Sequence, residues 1–324
     1  MKRLLVVSLV TILAFSCKNT NEEKTDTPDT AVETEEVVKT AVETPKFSLA
    51  QWSLHKKYEA EGADPFTFAA DAKALGFDAI ELVTQLYEDE IETLGFDTVI
   101  DSLKSMNEAH GIKTVLIMVD HEGDLADPDL AKRNEAVEKH KKWIDATVKL
   151  GGHAIRVNTF GTNDPDVWIN TVQDGLRKIS EYAATKNINV LCENHGWLSS
   201  DAPLLMAAIK GVNMENCGTL PDFGNWCVKR ANGERWGECV EEFPDYYKGI
   251  ELLMPAAKAV SAKAYSFDAD GNEEKIDYYR MISIVKAAGY DGYIGVEFEG
   301  DKMSEEEGIL ATMALIEKAF ANQK

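Results

Sequence analysis

The feature that most constrains the fold of this chain is a sequence pattern that recurs along it. A helical pattern ends at a glycine, a short β-branched run follows, and polar residues come next, as in AKALGFDAIELVT (72–84) and KAAGYDGYIGVEFEG (286–300). A glycine just past a helix adopts the left-handed C-cap conformation at little cost. The run after it has the composition of a buried parallel strand. The repeat therefore predicts alternating helices and parallel strands.

Eight such units can be counted, which is the number in a (β/α)8 TIM barrel of about this length. A single-domain α/β barrel is the predicted fold class. A doubly wound open sheet is the alternative, but QWSLHKKYE (51–59) stands where its glycine-rich phosphate loop would follow the first strand. The predicted strands lie near 47–53, 78–84, 113–119, 153–159, 188–193, 217–222, 259–264 and 292–298, and the predicted helices at 64–75, 95–109, 128–150, 165–186, 200–211, 240–257, 275–288 and 303–321.

The first 46 residues differ in character from the rest. Residues 1–17 begin with basic side chains, continue with an apolar run too short to span a bilayer, and end at Cys17, a pattern that resembles a bacterial lipobox. The alternative is an ordinary signal peptide with a chance cysteine. Residues 18–46 are polar with almost no aromatics, so we predict a disordered linker. The barrel is then expected over 47–324, in an exported lipoprotein of the periplasm or outer membrane.

Charge and cysteine usage exclude several classes of partner and site. The formal net charge of −22 would repel nucleic-acid phosphates and anionic lipid, so we expect membrane attachment only through the lipid anchor. The cysteines beyond Cys17 show no zinc-binding spacing. Cys227 and Cys239 flank a turn-rich segment, and they are either joined in a disulfide or free, like Cys192 and Cys217.

Polar side chains gather at the predicted carboxyl ends of the strands, where TIM barrels place their active sites. In the last strand Glu297 alternates with Val296 and Phe298, so it is expected to point into the barrel. The strand ends carry Glu81, Arg156, Asn158, Glu193, His195, Asp222, Asn225, Lys263, Glu297 and Glu299, with His121, Trp52, Trp197 and Trp226 nearby.

Three inward carboxylates, those of Glu193, Asp222 and Glu297, would meet from strands five, six and eight. Such groups are costly together unless a cation or protons neutralise them. Their oxygens suit Mg²⁺ or Mn²⁺, and an added imidazole would admit Zn²⁺. We therefore predict a divalent metal held by these three residues.

The order and spacing of ENHG (193–196), DFGN (222–225) and EFEG (297–300) resemble the xylose isomerase-like sugar phosphate isomerase/epimerase family over about residues 47–322. The resemblance implies metal ligands at Glu193, Asp222 and Glu297, with a histidine expected on strand seven in a pattern like HxKD. This chain has SAKA (261–264) there, with Ser261 in place of the histidine and Lys263 retained.

This departure leaves two alternatives for the cofactor. Either a metal is held by the three carboxylates with His195 or water completing its shell, or Lys263 supplies the positive charge and the metal is weak or absent. The first alternative is the one we expect.

The resemblance implies proton abstraction next to a carbonyl through an enediolate. Glu193, Glu297 and Lys263 are the predicted catalytic residues, and the expected ligand is a small carbohydrate, unphosphorylated because the protein is exported. Return of the proton gives an epimer or an isomer, and loss of a leaving group makes a 3-keto-glycoside lyase. A non-catalytic sugar-binding lipoprotein is the competing class. The predicted substrate-binding residues are Glu81, Arg156, His195 and Asn225.

The lipid anchor can be tested at Cys17. If Cys17 is lipidated, Cys17→Ala will move the protein from the membrane fraction to the soluble fraction, as measured by fractionation and immunoblotting. Cys192→Ala serves as the control and should leave the distribution unchanged. Membrane association that survives Cys17→Ala would rule out the lipoprotein.

Overall fold

Eight parallel strands form one sheet that follows the chain around a barrel. The structure is a computed structural model that describes residues 44–322. Each strand pairs with the next along the chain, and the first, β1, pairs with the last, β10. The strands are β1 (Lys46–Ala50), β2 (Ala79–Val83), β3 (Lys113–Val119), β4 (Ala154–Val157), β5 (Asn189–Glu193), β6 (Cys217–Leu220), β9 (Val260–Ala264) and β10 (Tyr293–Phe298), with a separate hairpin of β7 (Cys227–Arg230) and β8 (Cys239–Glu242).

The barrel closes between β6 and β9 through bridges rather than a continuous ladder. Thr219 pairs with Ala257 and Asp222 with Ser261, both in parallel. The Ser261 amide donates to the Pro221 carbonyl at 2.9 Å, and its own carbonyl accepts from the Phe223 amide at 3.1 Å. The predicted TIM barrel is therefore confirmed.

Helices cover the outside of the barrel and start at polar caps. The Asp129 side chain accepts from two amides of the first turn of α4, and Ser304 forms a capping box with Glu307. The predicted glycine stops are present at Gly111 and Gly151, where φ is +64° and +78°. The helices are α1 (Phe68–Ala74), α2 (Glu88–Leu94), α3 (Phe96–His110), α4 (Leu130–Leu150), α5 (Pro165–Ala184), α6 (Ala202–Val212), α7 (Tyr246–Leu253), α8 (Tyr278–Ala287) and α9 (Glu305–Ala321).

The apolar core lies in two parts. The larger part fills the layer between strands and helices, and Cys192, Val296 and Phe298 belong to it. The smaller part lies inside the barrel and includes Leu191 and Leu116. Successive residues of a strand face opposite sides, so Glu193 and Glu297 point inward as predicted. The barrel is thus apolar in its lower interior and charged at the carboxyl ends of its strands.

One predicted helix begins in the wrong place. Helix 240–257 was expected as a continuous element, but Cys239–Glu242 forms a strand, and α7 starts only after the Asp245 cap. The β7–β8 hairpin pairs across this stretch, and a disulfide joins Cys227 to Cys239 with a Cα–Cα distance of 5.8 Å. Pairing across the hairpin and the covalent link override the local helical pattern. Cys192 and Cys217 are buried free thiols.

Some expectations concern other parts of the chain. The signal peptide 1–17, with Cys17, and nearly all of the linker 18–46 lie outside the described residues. Between residues 44 and 322, we find no helix with the length and apolar character required to cross a bilayer.

Candidate active site

Four charged side chains from four strand ends meet inside the barrel. Glu193 ends β5, Asp222 follows β6, Lys263 lies in β9 and Glu297 in β10. All four are at most 4% exposed. One carboxylate oxygen from each of the three acids lies within 4.8 Å of the other two. Tertiary structure therefore brings together the three carboxylates that the sequence predicted.

Lys263 is the central cation of this cluster. Its Nζ lies 2.5 Å from Glu299 Oε1, 3.0 Å from Glu297 Oε1 and 3.8 Å from Asp222 Oδ2. Burial alone would lower the pKa of Lys263, but Glu297 and Glu299 raise it well above its usual value. Burial alone would raise the pKa of Glu297, but Lys263 and the Ser261 hydroxyl hold it below its usual value. Lys263 and Glu297 are therefore a buried ion pair.

Ser261, which replaces the histidine of the family pattern, bridges two of the acids. Its Oγ lies 2.7 Å from Asp222 Oδ2 and 2.8 Å from Glu297 Oε2. One hydroxyl proton can be donated to only one of these oxygens at a time. Burial raises the pKa of Asp222 well above its usual value.

Arg156 is the second buried cation, and its partners are Asp120 and Glu193. Its Nη1 donates to Asp120 Oδ1 at 2.9 Å. Its Nε lies 2.9 Å from Glu193 Oε2, but the N–H does not point at that oxygen, so this contact is an ion pair without a hydrogen bond. Asn225 Nδ2 donates to the other oxygen of Glu193 at 2.9 Å. Burial raises the pKa of Glu193 to about 7, against the opposing effect of Arg156.

His195 is held as a neutral imidazole with a defined tautomer. Asn158 Nδ2 donates to Asp120 at 2.6 Å, so the Asn158 carbonyl oxygen faces His195 and accepts from Nδ1 at 2.7 Å. Burial, followed by the nearby Arg156, lowers the pKa of His195 to about 4. Its Nε2 is therefore an unprotonated acceptor, and His195 stays apart from the three-carboxylate cluster.

Glu81 lies deeper than the sequence analysis expected of a substrate-binding residue. It is 1% exposed, and one oxygen accepts from Ser48 Oγ at 2.6 Å while Oε2 has no hydrogen-bond partner. A Cβ on Gly295 would stand 2.7 Å from Glu81 Oε1, so any larger residue there would require the Glu81 carboxylate to move. Burial raises the pKa of Glu81 to about 8.

A cavity of about 850 Å³ opens above this charged cluster. Of the predicted substrate-binding residues, Arg156, His195 and Asn225 line it, whereas Glu81 does not. Glu297 lines it too, with Glu299 beside it, while Glu193 lies behind Arg156 and Asn225.

The aromatic residues predicted near the strand ends have different positions. Trp52 lines the cavity, as does His121, which is exposed and pairs with Glu88. Trp226 is a core residue, 1% exposed and stacked on Tyr246.

Sequence reasoning missed several residues that line the cavity. Asp120 directly follows β3, so the strand-end rule that selected Glu193 was enough to find it. Arg230, Arg235 and Trp236 belong to the hairpin segment, which the sequence analysis treated as a loop or part of a helix, and no strand-end rule reaches them.

The donor set fits a hard divalent cation. Glu193, Asp222 and Glu297 offer three buried carboxylate oxygens, and water commonly completes the shell of Mg²⁺ or Mn²⁺. Among residues 44–322 no imidazole joins the group, which makes the set less suited to Zn²⁺ than one with a histidine.

Comparisons with known proteins agree with the barrel fold. The family model described as "Xylose isomerase-like TIM barrel" matches residues 69–319. D-psicose 3-epimerase from Clostridium cellulolyticum H10, solved with D-tagatose, superposes with a TM-score of 0.65 at 15% identity, covering 85% of this chain and 99% of that one. The 3-keto-D-glucoside 4-epimerase from E. coli superposes with a TM-score of 0.65 at 14% identity, covering 85% of this chain and 100% of that one.

A xylose isomerase-like TIM barrel protein from Mycobacterium smegmatis, solved in complex with magnesium, superposes with a TM-score of 0.60 at 15% identity. The superposition covers 86% of this chain and 98% of that one. Identities of this size show a shared fold. A cyclomaltodextrin glucanotransferase from Geobacillus stearothermophilus is 24% identical over 132 residues, 39% of this chain, which spans only 18% of the length of that relative.

The pKa of Glu81 predicts how stability depends on pH. Between about pH 4.5 and 8 the folded protein keeps a proton on Glu81 that the unfolded chain releases, so the free energy of unfolding falls as pH rises. Glu81→Gln removes this pH-dependent fall in the free energy of unfolding. From about pH 5 to about pH 9 the variant should gain about 2 kcal/mol or more over wild type, as one pKa unit is about 1.4 kcal/mol. Urea titrations at several pH values measure it.

The control for this experiment is Glu317→Gln, because Glu317 is exposed on α9. Its stability should follow the wild-type pH dependence. If the free energy of unfolding depends on pH in the same way for Glu81→Gln and wild type, then Glu81 is ionised in the folded protein.

The identity of residue 261 predicts metal affinity. Ser261→His adds a nitrogen ligand beside Asp222 and Glu297, so the affinity for Mn²⁺ or Zn²⁺ should increase, by roughly tenfold or more. Titration calorimetry with the metal alone measures this effect, and a thermal melt checks the fold. Ser105→His, on the exposed face of α3, is the control. Unchanged affinity in a folded Ser261→His variant would contradict the assigned ligand set.

Proposed function

This chain belongs to the xylose isomerase-like TIM barrel family, and on that premise we propose that it is a sugar isomerase or epimerase acting next to a carbonyl carbon. The observation that carries the proposal is the buried Lys263–Glu297 ion pair, of which Glu297 lines the cavity while Lys263 lies behind it. It pairs a carboxylate that can take a proton with a cation that can stabilise the resulting oxyanion.

The first step is proton transfer from the carbon next to the carbonyl to Glu297, the carboxylate of the predicted pair that lines the cavity. The C–H electrons form a carbon–carbon double bond, and the carbonyl π electrons move to oxygen, giving an enediolate. The Lys263 ammonium lies 3.0 Å from Glu297, so in this proposal its positive charge acts from behind Glu297 on the negative oxygen. Return of the proton to the opposite face gives the epimer, and return to the neighbouring carbon gives the isomer.

Glu193 is the second proton-transfer group in this proposal. It reaches the cluster from β5, which is not adjacent to β10 in the sheet, so the two acids approach from different sides of the barrel. Glu193 lies behind Arg156 and Asn225. The variants below test whether Glu193 exchanges protons with the substrate or only holds Arg156 and Asn225 in place.

A divalent metal held by Glu193, Asp222 and Glu297 would act as a Lewis acid on the substrate oxygens. The protein's own groups orient the sugar. His195 Nε2 accepts from a hydroxyl, and the Arg156 guanidinium and the Asn225 amide donate to hydroxyl or carbonyl oxygens of the substrate. Arg156 is held in place for this role by Asp120.

We propose an unphosphorylated substrate. The cavity is lined by eight carboxylate side chains against five basic ones, so a phosphate dianion meets net repulsion. Arg156, the basic residue nearest the floor, already has two carboxylate partners. Export as a lipoprotein anchored at Cys17 is part of the same proposal, and the Cys227–Cys239 disulfide supports it because disulfides persist in oxidising compartments.

Hydrogen–deuterium exchange at carbon tests the proposed reaction. Ketohexoses such as D-fructose and D-tagatose, and a 3-keto-glucoside, are incubated with the full chain in heavy water and followed by NMR. We expect deuterium next to the carbonyl with at least one of them. Glu297→Gln should abolish uptake because the amide cannot accept the proton, and Lys263→Met should slow it by roughly 10²-fold.

Glu317→Gln should exchange like wild type, and thermal melts confirm that each variant is folded. Glu193→Gln that retains full exchange would restrict Glu193 to a supporting role. Saturable sugar binding without exchange at any carbon would favour a non-catalytic sugar-binding protein, and release of an alcohol from the 3-keto-glucoside would identify a lyase.

A further inference from the structure

The hairpin between β6 and α7 forms one wall of the cavity. Its strands β7 and β8 pair in antiparallel fashion, and the Cys227–Cys239 disulfide joins them. Three residues of this segment line the cavity, namely Arg230, Arg235 and Trp236. The proposed proton transfer uses none of them.

Three aromatic rings pack together on this side, and we call them the aromatic wall: Phe160, Trp197 and Trp236. Phe160 and Trp236 line the cavity, whereas Trp197 lies behind them. Phe160 packs edge-on against both indoles, with ring centroids 5.6 Å apart in each case. The Trp197 indole N–H donates to the Glu234 carbonyl at 2.8 Å, which fixes the ring to the hairpin. Edge-to-face contacts of this kind hold rings in defined orientations.

Arg235 adds charge and rigidity to the wall. Its guanidinium lies 5.1 Å from the Phe160 centroid and 5.9 Å from that of Trp197, and it forms an ion pair with Asp124 from the loop after β3. Cation–π contacts and the ion pair tie the hairpin to the opposite loop. The wall is therefore built on one disulfide and contacts to two other loops.

Trp236 remains 56% exposed despite these contacts. The Arg230 guanidinium lies 5.8 Å from its ring centroid. The exposed remainder of the ring is apolar surface in a lined cavity, and aromatic faces bind the apolar C–H face of a sugar ring. His195 links this surface to the charged floor, since its ring lies 5.4 Å from Trp236 while its Nδ1 donates to Asn158.

We propose that the aromatic wall binds a second ring of the substrate, so that the protein acts on glycosides, such as disaccharides or their keto forms, rather than on free monosaccharides. This rests on the proposed function for the reacting ring beside Glu297. A cavity of about 850 Å³ is near the upper end of the range of roughly 300–1,000 Å³ for small-molecule sites. A single hexose at the floor would leave the wall uncovered, whereas a second ring would cover Trp236.

Binding measurements test this without requiring turnover. Calorimetric titrations of the full chain compare methyl β-D-glucoside with cellobiose, maltose and 4-nitrophenyl β-D-glucoside. At least one disaccharide should bind more tightly than the methyl glucoside. Trp236→Ala should weaken binding of that disaccharide by roughly tenfold, which is about 1.4 kcal/mol, because the ring that covers the second sugar is lost. Methyl glucoside affinity should not change.

Trp236→Phe, which keeps a ring, should recover much of the disaccharide affinity, and Val240→Ala, an exposed hairpin residue outside the cavity, should behave as wild type. Equal loss for disaccharide and methyl glucoside, or no loss for either, would overturn the proposal. A Trp236-dependent gain seen only with the nitrophenyl glucoside would overturn it in favour of an aromatic aglycone.

Reduction of the disulfide gives an independent readout. Dithiothreitol should loosen the hairpin and lower the disaccharide affinity of wild type, while a Cys227→Ser/Cys239→Ser variant should be insensitive to it. Disaccharide affinity unaffected by a reductant that demonstrably opens the disulfide would contradict a wall held by the hairpin. Disaccharide binding that depends on Trp236 but comes without deuterium exchange would contradict the proposed reaction and still support this subsite.

Discussion

The interaction on which the rest of the site depends is the buried ammonium of Lys263 among carboxylates. Glu297, Glu299 and Asp222 all lie within 3.8 Å of its Nζ. Lys263, Asp222 and Glu297 have almost no solvent contact, whereas Glu299 is partly exposed. Several buried carboxylates are tolerable only with compensating cations, protons or metal. Lys263 keeps Glu297 ionised, whereas Asp222, farther from it, keeps a raised pKa. The pKa values of these two neighbouring acids are therefore shifted in opposite directions.

The residues that close the barrel also belong to the site. The bridge between Asp222 and Ser261 joins the sixth and seventh barrel strands, and the side chains of the same two residues are hydrogen-bonded. A histidine at 261 would bring a nitrogen ligand to that position. Serine instead brings a small hydroxyl that holds Asp222 and Glu297 together, so carboxylates alone make up the metal-ligand set of the described residues.

The cavity combines two chemistries that different parts of the chain supply. The floor is charged and comes from barrel strands, whose backbone pairing fixes side-chain positions closely. The wall is aromatic. Trp236 comes from the hairpin, which is held by a disulfide and by Arg235, and Phe160 and Trp197 come from the segments after β4 and β5. His195 contacts both, donating to Asn158 on one side and packing against Trp236 on the other. A ligand that fits both must present polar oxygens at one end and an apolar ring face at the other.

The sequence by itself determined the strand count, the inward direction of Glu193 and Glu297, and the glycine stops at Gly111 and Gly151. These follow from local periodicity and backbone preference, which act between near neighbours in the chain. Only the tertiary structure decided that Glu81 lies below the cavity and that Arg156 pairs with Asp120. It also decided the hairpin, the disulfide and the wall around Trp236, because these depend on pairing and packing between segments whose proximity no local pattern encodes.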